Sequence, residues 1–277
     1  VGCGTGILSM FAAKSGAKHV YAVDCSDIID KAKQIIADNN LTSTITTIKG
    51  KIEDITLPVD KVDIIISEWM GYFLFYESML DTVVVARDKW LAPDGVILPD
   101  KATLNVVAIE DSDFKDQKIN FWDSVYGFDM SCIKEMAYAE PLVDTVEPQQ
   151  IVSNSSPVMT VDIFTVTKEE LTWKKDFSLT IMRNDHVHAL VAYFDIDFTK
   201  CHKPIFFSTG PKARYTHWKQ TVFYLKETLI VCSGEKLQGE IICKPNEKNP
   251  RDLDITINYS FKGKYYTCDS SQNYWLR

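Results

Sequence analysis

The apolar residues of this chain change their period near Pro99, and no single layer architecture accommodates both patterns. Before that point, short β-branched runs alternate with stretches of helical spacing. Residues 7–14 suit a helix that Gly16 can end in a left-handed conformation, and residues 19–24 read as a buried strand. Ser26 can cap a second helix, in which Ile28, Ile29, Ala32, Ile35 and Ile36 recur at helical spacing. Residues 44–48 and 62–67 read as further strands, and residues 76–90 as a helix that ends before Pro93-Asp94-Gly95. Strands alternating with helices imply an α/β unit, a doubly wound parallel sheet. After Pro99, residues 104–109, 158–166, 177–182, 188–198, 221–225, 240–243 and 253–261 alternate apolar and polar side chains, the pattern of a β-barrel or sandwich. The expectation is two domains, residues 1–98 and 99–277. An insertion at residues 112–145 carries Phe121, Trp122, Tyr126, Phe128, Met130, Met136 and Tyr138, looks helical, and is apolar enough for a docking arm.

Composition narrows the class. The chain has 277 residues, 45% of them hydrophobic and 25% charged, which excludes a disordered or low-complexity sequence. No apolar run approaches the roughly 20 residues that span a bilayer, and no signal-peptide series is present, so a soluble protein is expected. The seven cysteines are scattered singly without a C-x-x-C pair, a pattern that suits a reducing intracellular compartment rather than a zinc site or a disulfide framework. A formal charge of −8 argues against an extended nucleic-acid surface and is compatible with a cationic partner, although most of these carboxylates read as ordinary solvated charge.

The first residues, Val1-Gly2-Cys3-Gly4-Thr5-Gly6, form a glycine-rich turn that opens a helix, with no initiator Met and no strand ahead of it. Part of the same structural unit is therefore expected upstream. Three positions without a Cβ let a ligand approach the backbone. Dinucleotide binders place their third glycine one residue later, where this chain has Ile7, and the G-x-G-x-G form is the one seen in S-adenosylmethionine methyltransferases. Asp24, at the carboxyl end of the next strand, can accept both hydroxyls of an adenosine ribose; the bland alternative is a helix-cap acid. Glu53 can accept from an adenine amino group and Ile52 can offer an apolar face, unless Glu53 is only a solvated loop charge.

Residues 67–79 read Ser-Glu-Trp-Met-Gly-Tyr-Phe-Leu-Phe-Tyr-Glu-Ser-Met and follow the fourth strand expected of such a unit, at the end where open α/β sheets bind ligands. Glu68 and Glu77 bracket a loop of aromatics, and this stretch resembles the double-glutamate loop of the protein arginine methyltransferases. Tyr215-Thr216-His217-Trp218 resembles that family's Thr-His-Trp loop. The resemblance extends over the entire chain and is nearest to the type I enzymes. It implies a methyltransferase domain, a β-barrel-like domain and a helical dimerisation arm. It also implies S-adenosylmethionine as cofactor, with Gly2, Gly4 and Gly6 shaping its turn, Asp24 on ribose, Ile52 and Glu53 at adenine, and Met79 near the sulfonium. Glu68 and Glu77 would grip the guanidinium, with His217 as proton relay and Trp69, Met70, Tyr72 and Trp218 walling the pocket; His217 and Trp218 read equally as packing between domains. The family usually has glutamate where Asp24 stands, and its leading acid, a cofactor-binding arginine and an aromatic covering helix would lie upstream of Val1. A chain that truly began at Val1 should bind cofactor poorly. Arginine-glycine-rich, RNA-binding substrates, monomethyl and asymmetric dimethyl products, a homodimer or larger ring, and a nuclear and cytoplasmic location follow as expectations of the resemblance.

The chemistry is consistent with that reading. Neutralising a guanidinium at pH 7 costs roughly 7 kcal/mol or more, so early deprotonation is unattractive. Two carboxylates can instead hold the fork and leave one nitrogen's lone pair available, each close pair contributing about 4 kcal/mol at an effective dielectric near 20. Alignment for in-line displacement can add about 7 to 11 kcal/mol. His186-x-His188 could present two imidazoles on one strand face, but no third ligand is evident and no metal is expected. Three rival readings stand beside this one: an NAD-dependent oxidoreductase on the same kind of sheet, a non-catalytic module that binds arginine-rich tails, and a methyltransferase acting on lysine or a small amine.

Overall fold

The computed structural model describes residues 1–277. Its first part contains α1 (Ile7–Lys14), β1 (Val20–Asp24), α2 (Ile28–Asp38), β2 (Ile45–Lys49), β3 (Val62–Ile66), α3 (Met79–Trp90) and β4 (Leu91–Leu98). The strands form two parallel pairs, β1 with β2 and β3 with β4. Residues 1–3 join them: the Cys3 N–H donates to Val23 O at 2.9 Å, and the Val1 amino group donates to Ile66 O at 2.8 Å. Successive residues of β1 face opposite ways, as a strand's pleat requires. Ala22 packs with Ile29, Ala32 and Ile36 of α2, whereas Val23 belongs to the main core with Leu80, Val83 and Val84 of α3. Helices therefore cover both faces, which is the doubly wound arrangement.

Two local expectations need correction. Ser26 does not cap α2, because its hydroxyl donates to Asp24 Oδ1 at 2.7 Å; Asp27 is the cap residue and makes no side-chain cap bond. Helix α3 begins at Met79 rather than residue 76, since Glu77 and Ser78 are left-handed, at φ 75° and 60°. The helix does end at Trp90, before Pro93-Asp94-Gly95, and those three residues lie inside β4, where a register shift opposite Val62 and Ile64 absorbs them.

The second part contains β5 (Lys101–Ile109), α4 (Ser112–Phe114), α5 (Lys134–Ala139), β6 (Leu142–Asp144), β7 (Ser156–Asp162), β8 (Trp173–Thr180), β9 (Asp185–Phe198), β10 (Ile205–Ser208), β11 (Gln220–Val231), β12 (Lys236–Pro245), β13 (Leu253–Lys262) and β14 (Thr267–Leu276). They form two antiparallel sheets, β6-β11-β9-β5-β7 with β10 added to β9, and β14-β13-β12-β8. The unit is barrel-like, but no continuous strand ladder closes it. Strands β6, β10 and β14 were not expected. In β14 only Gln272, Tyr274 and Leu276 are buried, so its apolar signal is thin and its ladder with β13 carries it.

The arm at residues 112–145 is not helical throughout: short helical turns, including a π-helical turn at Lys115–Ile119, run to Ala139, and its end is strand β6. Lys115 is buried and donates to Leu225 O at 2.8 Å, Lys226 O at 3.2 Å and Thr228 Oγ1 at 3.0 Å. These acceptors lie where the register of β11 shifts against β9, so the ammonium satisfies groups the ladder leaves unpaired. On its other side the arm exposes Phe121, Tyr126, Phe128 and Met136. The two parts of the molecule share one core, in which Phe73 and Phe75 of the 67–79 loop pack on Trp173, and Phe73 also packs on Phe223. Arg87 of α3 adds hydrogen bonds of 2.7 Å to Ile163 O and to Val166 O.

Candidate active site

Gly2, Gly4 and Gly6 all adopt positive φ, at 67°, 52° and 90°, which side chains other than glycine disfavour. A Cβ on Gly2 would lie 2.7 Å from Met79 Cε, while the space beside Gly4 is open. Gly6 precedes α1 without a side-chain cap, so the first N–H groups of that helix are left for a ligand. At the end of β1, Asp24 Oδ2 accepts from the Gly4 N–H at 2.9 Å, and Oδ1 accepts from the Ser26 N–H at 2.9 Å and its hydroxyl. Partial burial pushes this carboxyl up, but the Ser26 and Gly4 donors outweigh it and hold it below its ordinary value. A carboxylate has about four acceptor positions, so roughly one remains for a ribose hydroxyl, fewer than the two expected. Glu53 Oε1 accepts from Thr82 Oγ1 of α3 at 3.1 Å. Ile52 is buried in the main core rather than offering an open face. An open glycine cradle, a free helix N-terminus and the remaining acceptor capacity of Asp24 and Glu53 fit an adenosine that bears an amino-acid tail.

The loop between β3 and α3 carries the two glutamates. Gly71 N–H donates to Leu74 O at 3.0 Å, and a Cβ at Gly71 would meet the Tyr76 carbonyl oxygen at 1.9 Å, so only glycine fits there. Phe73, Leu74, Glu77 and Ser78 are all left-handed, at φ 53°, 65°, 75° and 60°. Such conformations cost about 1–3 kcal/mol each and persist only where the surroundings impose them, here by burial of Phe73, Leu74 and Phe75. Glu68 is pushed above its ordinary carboxylate value, first by desolvation and further by the Glu77 charge, while His217 and the Met70 N–H pull it back. Glu68 thus lies within electrostatic reach of both Glu77 and His217. Glu77 is fastened to the loop between β12 and β13: its N–H donates to Arg251 O at 2.9 Å, and Arg251 Nη2 donates to its Oε1 at 3.3 Å.

Trp218 donates its indole N–H to Met70 O at 2.8 Å and packs between Phe194 and Phe207, with the His217 ring 4.0 Å away. It acts here as a strut between the two parts of the molecule. Trp69 is only 2% exposed and Met70 is buried, so their side chains belong to the core and not to an open pocket wall, which corrects that expectation. Tyr72 is exposed and stacks on Tyr76. His188 Nδ1 accepts the Asp111 N–H at 3.1 Å, and burial holds its pKa down, so the His186-x-His188 pair is structural. Arg251 and Thr82 escaped the sequence reading. Nothing in Asn249-Pro250-Arg251-Asp252 marks it as a neighbour of Glu77.

A parallel-sheet unit with a glycine cradle, joined to an antiparallel unit that braces a double-glutamate loop, is the form of a methyltransferase built around a cationic acceptor. Residues 1–95 match the family described as "Methyltransferase domain", and residues 100–264 match "Arginine methyltransferase oligomerization subdomain". Protein arginine N-methyltransferase 1 of Chlamydomonas reinhardtii is 61% identical over 100% of this chain and 80% of its own length. Protein arginine N-methyltransferase 1.1 of Arabidopsis thaliana is 57% identical over 100% of this chain and 71% of its own. Among solved structures, the Trypanosoma brucei PRMT1 enzyme-prozyme heterotetrameric complex with AdoHcy superposes with a TM-score of 0.97 at 47% identity, covering 100% of this chain and 87% of that one. This chain belongs to the protein arginine N-methyltransferases, enzymes that draw their methyl group from S-adenosylmethionine.

Proposed function

We propose that this chain methylates arginine side chains in arginine-glycine-rich proteins, RNA-binding proteins among them, and yields monomethyl and then asymmetric dimethylarginine. One observation carries the reading. Met79 abuts Gly2 of the cofactor turn and follows Glu77 by two residues, so donor turn and acceptor loop meet at a single point. On this reading residues 1–98 hold the cofactor and residues 99–277 brace the acceptor loop. Gly2, Gly4, Gly6, Asp24, Glu53 and Met79 hold S-adenosylmethionine, and Ile52 is buried in the main core. When bound, that cofactor supplies an electrophilic methyl group on a sulfonium. Glu68 and Glu77 grip the acceptor guanidinium, draw its charge toward the gripped nitrogens and orient the third. That nitrogen takes the methyl group as the carbon–sulfur bond of the sulfonium breaks to leave a neutral thioether, and gives its proton to Glu68, with His217 beside it as relay. Tyr72 stands exposed beside the acceptor, and Trp218 keeps the loop in place.

The matched oligomerization subdomain and the apolar outer side of the arm support assembly through residues 112–145 into a homodimer or larger ring. Seven free cysteines fit a reducing compartment, and the reading places the protein in nucleus and cytoplasm, a proposal that cell fractionation tests. The decisive assay incubates the full-length protein with methyl-labelled S-adenosylmethionine and a glycine-arginine-rich peptide beside its lysine-substituted twin, followed by hydrolysis. Label in asymmetric dimethylarginine is expected, and label in lysine or in neither peptide overturns the proposal. Glu68→Gln and Glu77→Gln should each abolish turnover while S-adenosylmethionine affinity stays within a few fold. Equal loss of cofactor affinity would remove the acceptor role.

A further inference from the structure

We infer that Arg251 is an internal stand-in for the acceptor arginine: its guanidinium holds Glu77 until a substrate guanidinium displaces it, and so sets how tightly the acceptor binds. The inference rests on Glu77 being an acceptor carboxylate. Arg251 presents to Glu77 the same chemical group the substrate would present, from the loop between β12 and β13. Its backbone is fixed independently of its side chain. The Arg251 N–H donates to Asn249 Oδ1 at 3.3 Å, Asp252 N–H donates to Asn249 O at 2.9 Å, and Arg251 O accepts from the Glu77 N–H. The base of the Arg251 side chain is therefore held within reach of the carboxylate whether or not the two are paired.

The pair is built to be broken. It is a single contact of 3.3 Å, and its side chains are 67% and 55% exposed, for Arg251 and Glu77 respectively. Solvent and salt screen such a pair, and its effect on a competing ligand is no more than roughly fivefold. A substrate guanidinium that engages Glu68 as well as Glu77 makes more and better-aligned contacts than the one Arg251 makes. Displacement then frees Arg251 to solvent at little cost. An arginine at this place discriminates against weakly gripped cations: an acceptor that cannot reach both carboxylates does not outcompete the resident guanidinium.

The test uses the full-length protein with S-adenosylmethionine and an arginine-glycine-rich peptide, comparing Arg251→Gln, Arg251→Lys and, as a charge control in the same loop, Lys248→Gln. Removal of the competitor should lower the peptide KM by roughly 1.5- to fivefold with the larger change in KM rather than kcat, the effect shrinking as salt is raised. Arg251→Lys should fall between the wild type and Arg251→Gln, and Lys248→Gln should leave KM in place. An unchanged or raised KM, a fall in kcat as the main effect, or the same KM change in Lys248→Gln would overturn the inference. Thermal melting of each variant checks that the loop still folds. Glu77→Gln separates the two readings: retained turnover removes the acceptor role of Glu77, whereas lost turnover with no KM change at Arg251 removes only the stand-in.

Discussion

Glu68 follows a short parallel strand and is crowded by a loop that takes water away from its carboxyl before a substrate arrives. Its pKa therefore stands above the ordinary 4.5, chiefly by desolvation, and the Glu77 charge adds to the rise. On the proposed acceptor role this group must be ionised to grip a cation, so the acid limb of kcat/KM for the peptide should lie above that ordinary value. A limb at or below 4.5 would contradict the assignment. Stability responds with the opposite sign: between the ordinary and the raised value the folded state holds the extra proton, so stability attributable to Glu68 falls as pH rises through that window. Glu68 and Glu77 could be singled out as candidates in the sequence because the loop that bears them is contiguous. Ser26 was misread because Asp24, two residues earlier, competes for its hydroxyl. Arg251 was illegible because its partner is 174 residues away in the chain.

Whole strands and helices were read best where one face is apolar and one polar. Strand β13 falls close to expectation because its burial follows the pleat, and helix α2 because Ile29, Ala32 and Ile36 form its buried face. Strands β6 and β10 are short edge elements held by register rather than by hydrophobicity, and no periodicity announces them. The irregular point of β11 carries its own prediction. Lys115 fills that irregularity from the arm, and burial lowers its pKa from 10.5 to about 8. Lys115→Met leaves the carbonyls of Leu225 and Lys226 without a donor, and each such orphan costs about 1–3 kcal/mol, which urea unfolding will register as a lower midpoint. Between pH 8 and 10.5 the unfolded chain binds the proton that the folded chain has released, so this site makes stability rise with pH. The Met variant should lack that rise relative to wild type, and identical pH profiles would show that the ammonium is not the linked group.

At the scale of the whole molecule, the split between an α/β part and an antiparallel part was legible from the change of period, and the shared core was not. Core contacts such as Phe73 on Trp173 and Phe223 join residues far apart in the chain, which periodicity cannot report. The arm was legible as apolar, and its outer side keeps Tyr126 98% and Phe128 69% exposed. Patches of this kind mark association surfaces. Tyr126→Ser combined with Phe128→Ser should shift the protein toward monomer in sedimentation while circular dichroism stays unchanged. An unaltered oligomer would place the association surface elsewhere.

The acceptor loop is fastened to the antiparallel half near both of its ends, at the Met70 carbonyl by Trp218 and at the Glu77 amide by Arg251. The gap between the two acids is thus a caliper whose jaws are mounted on the opposite half of the protein. A tilt of that half is carried to the jaws through these two mounts and, because Met79 abuts Gly2, onward to the glycine cradle.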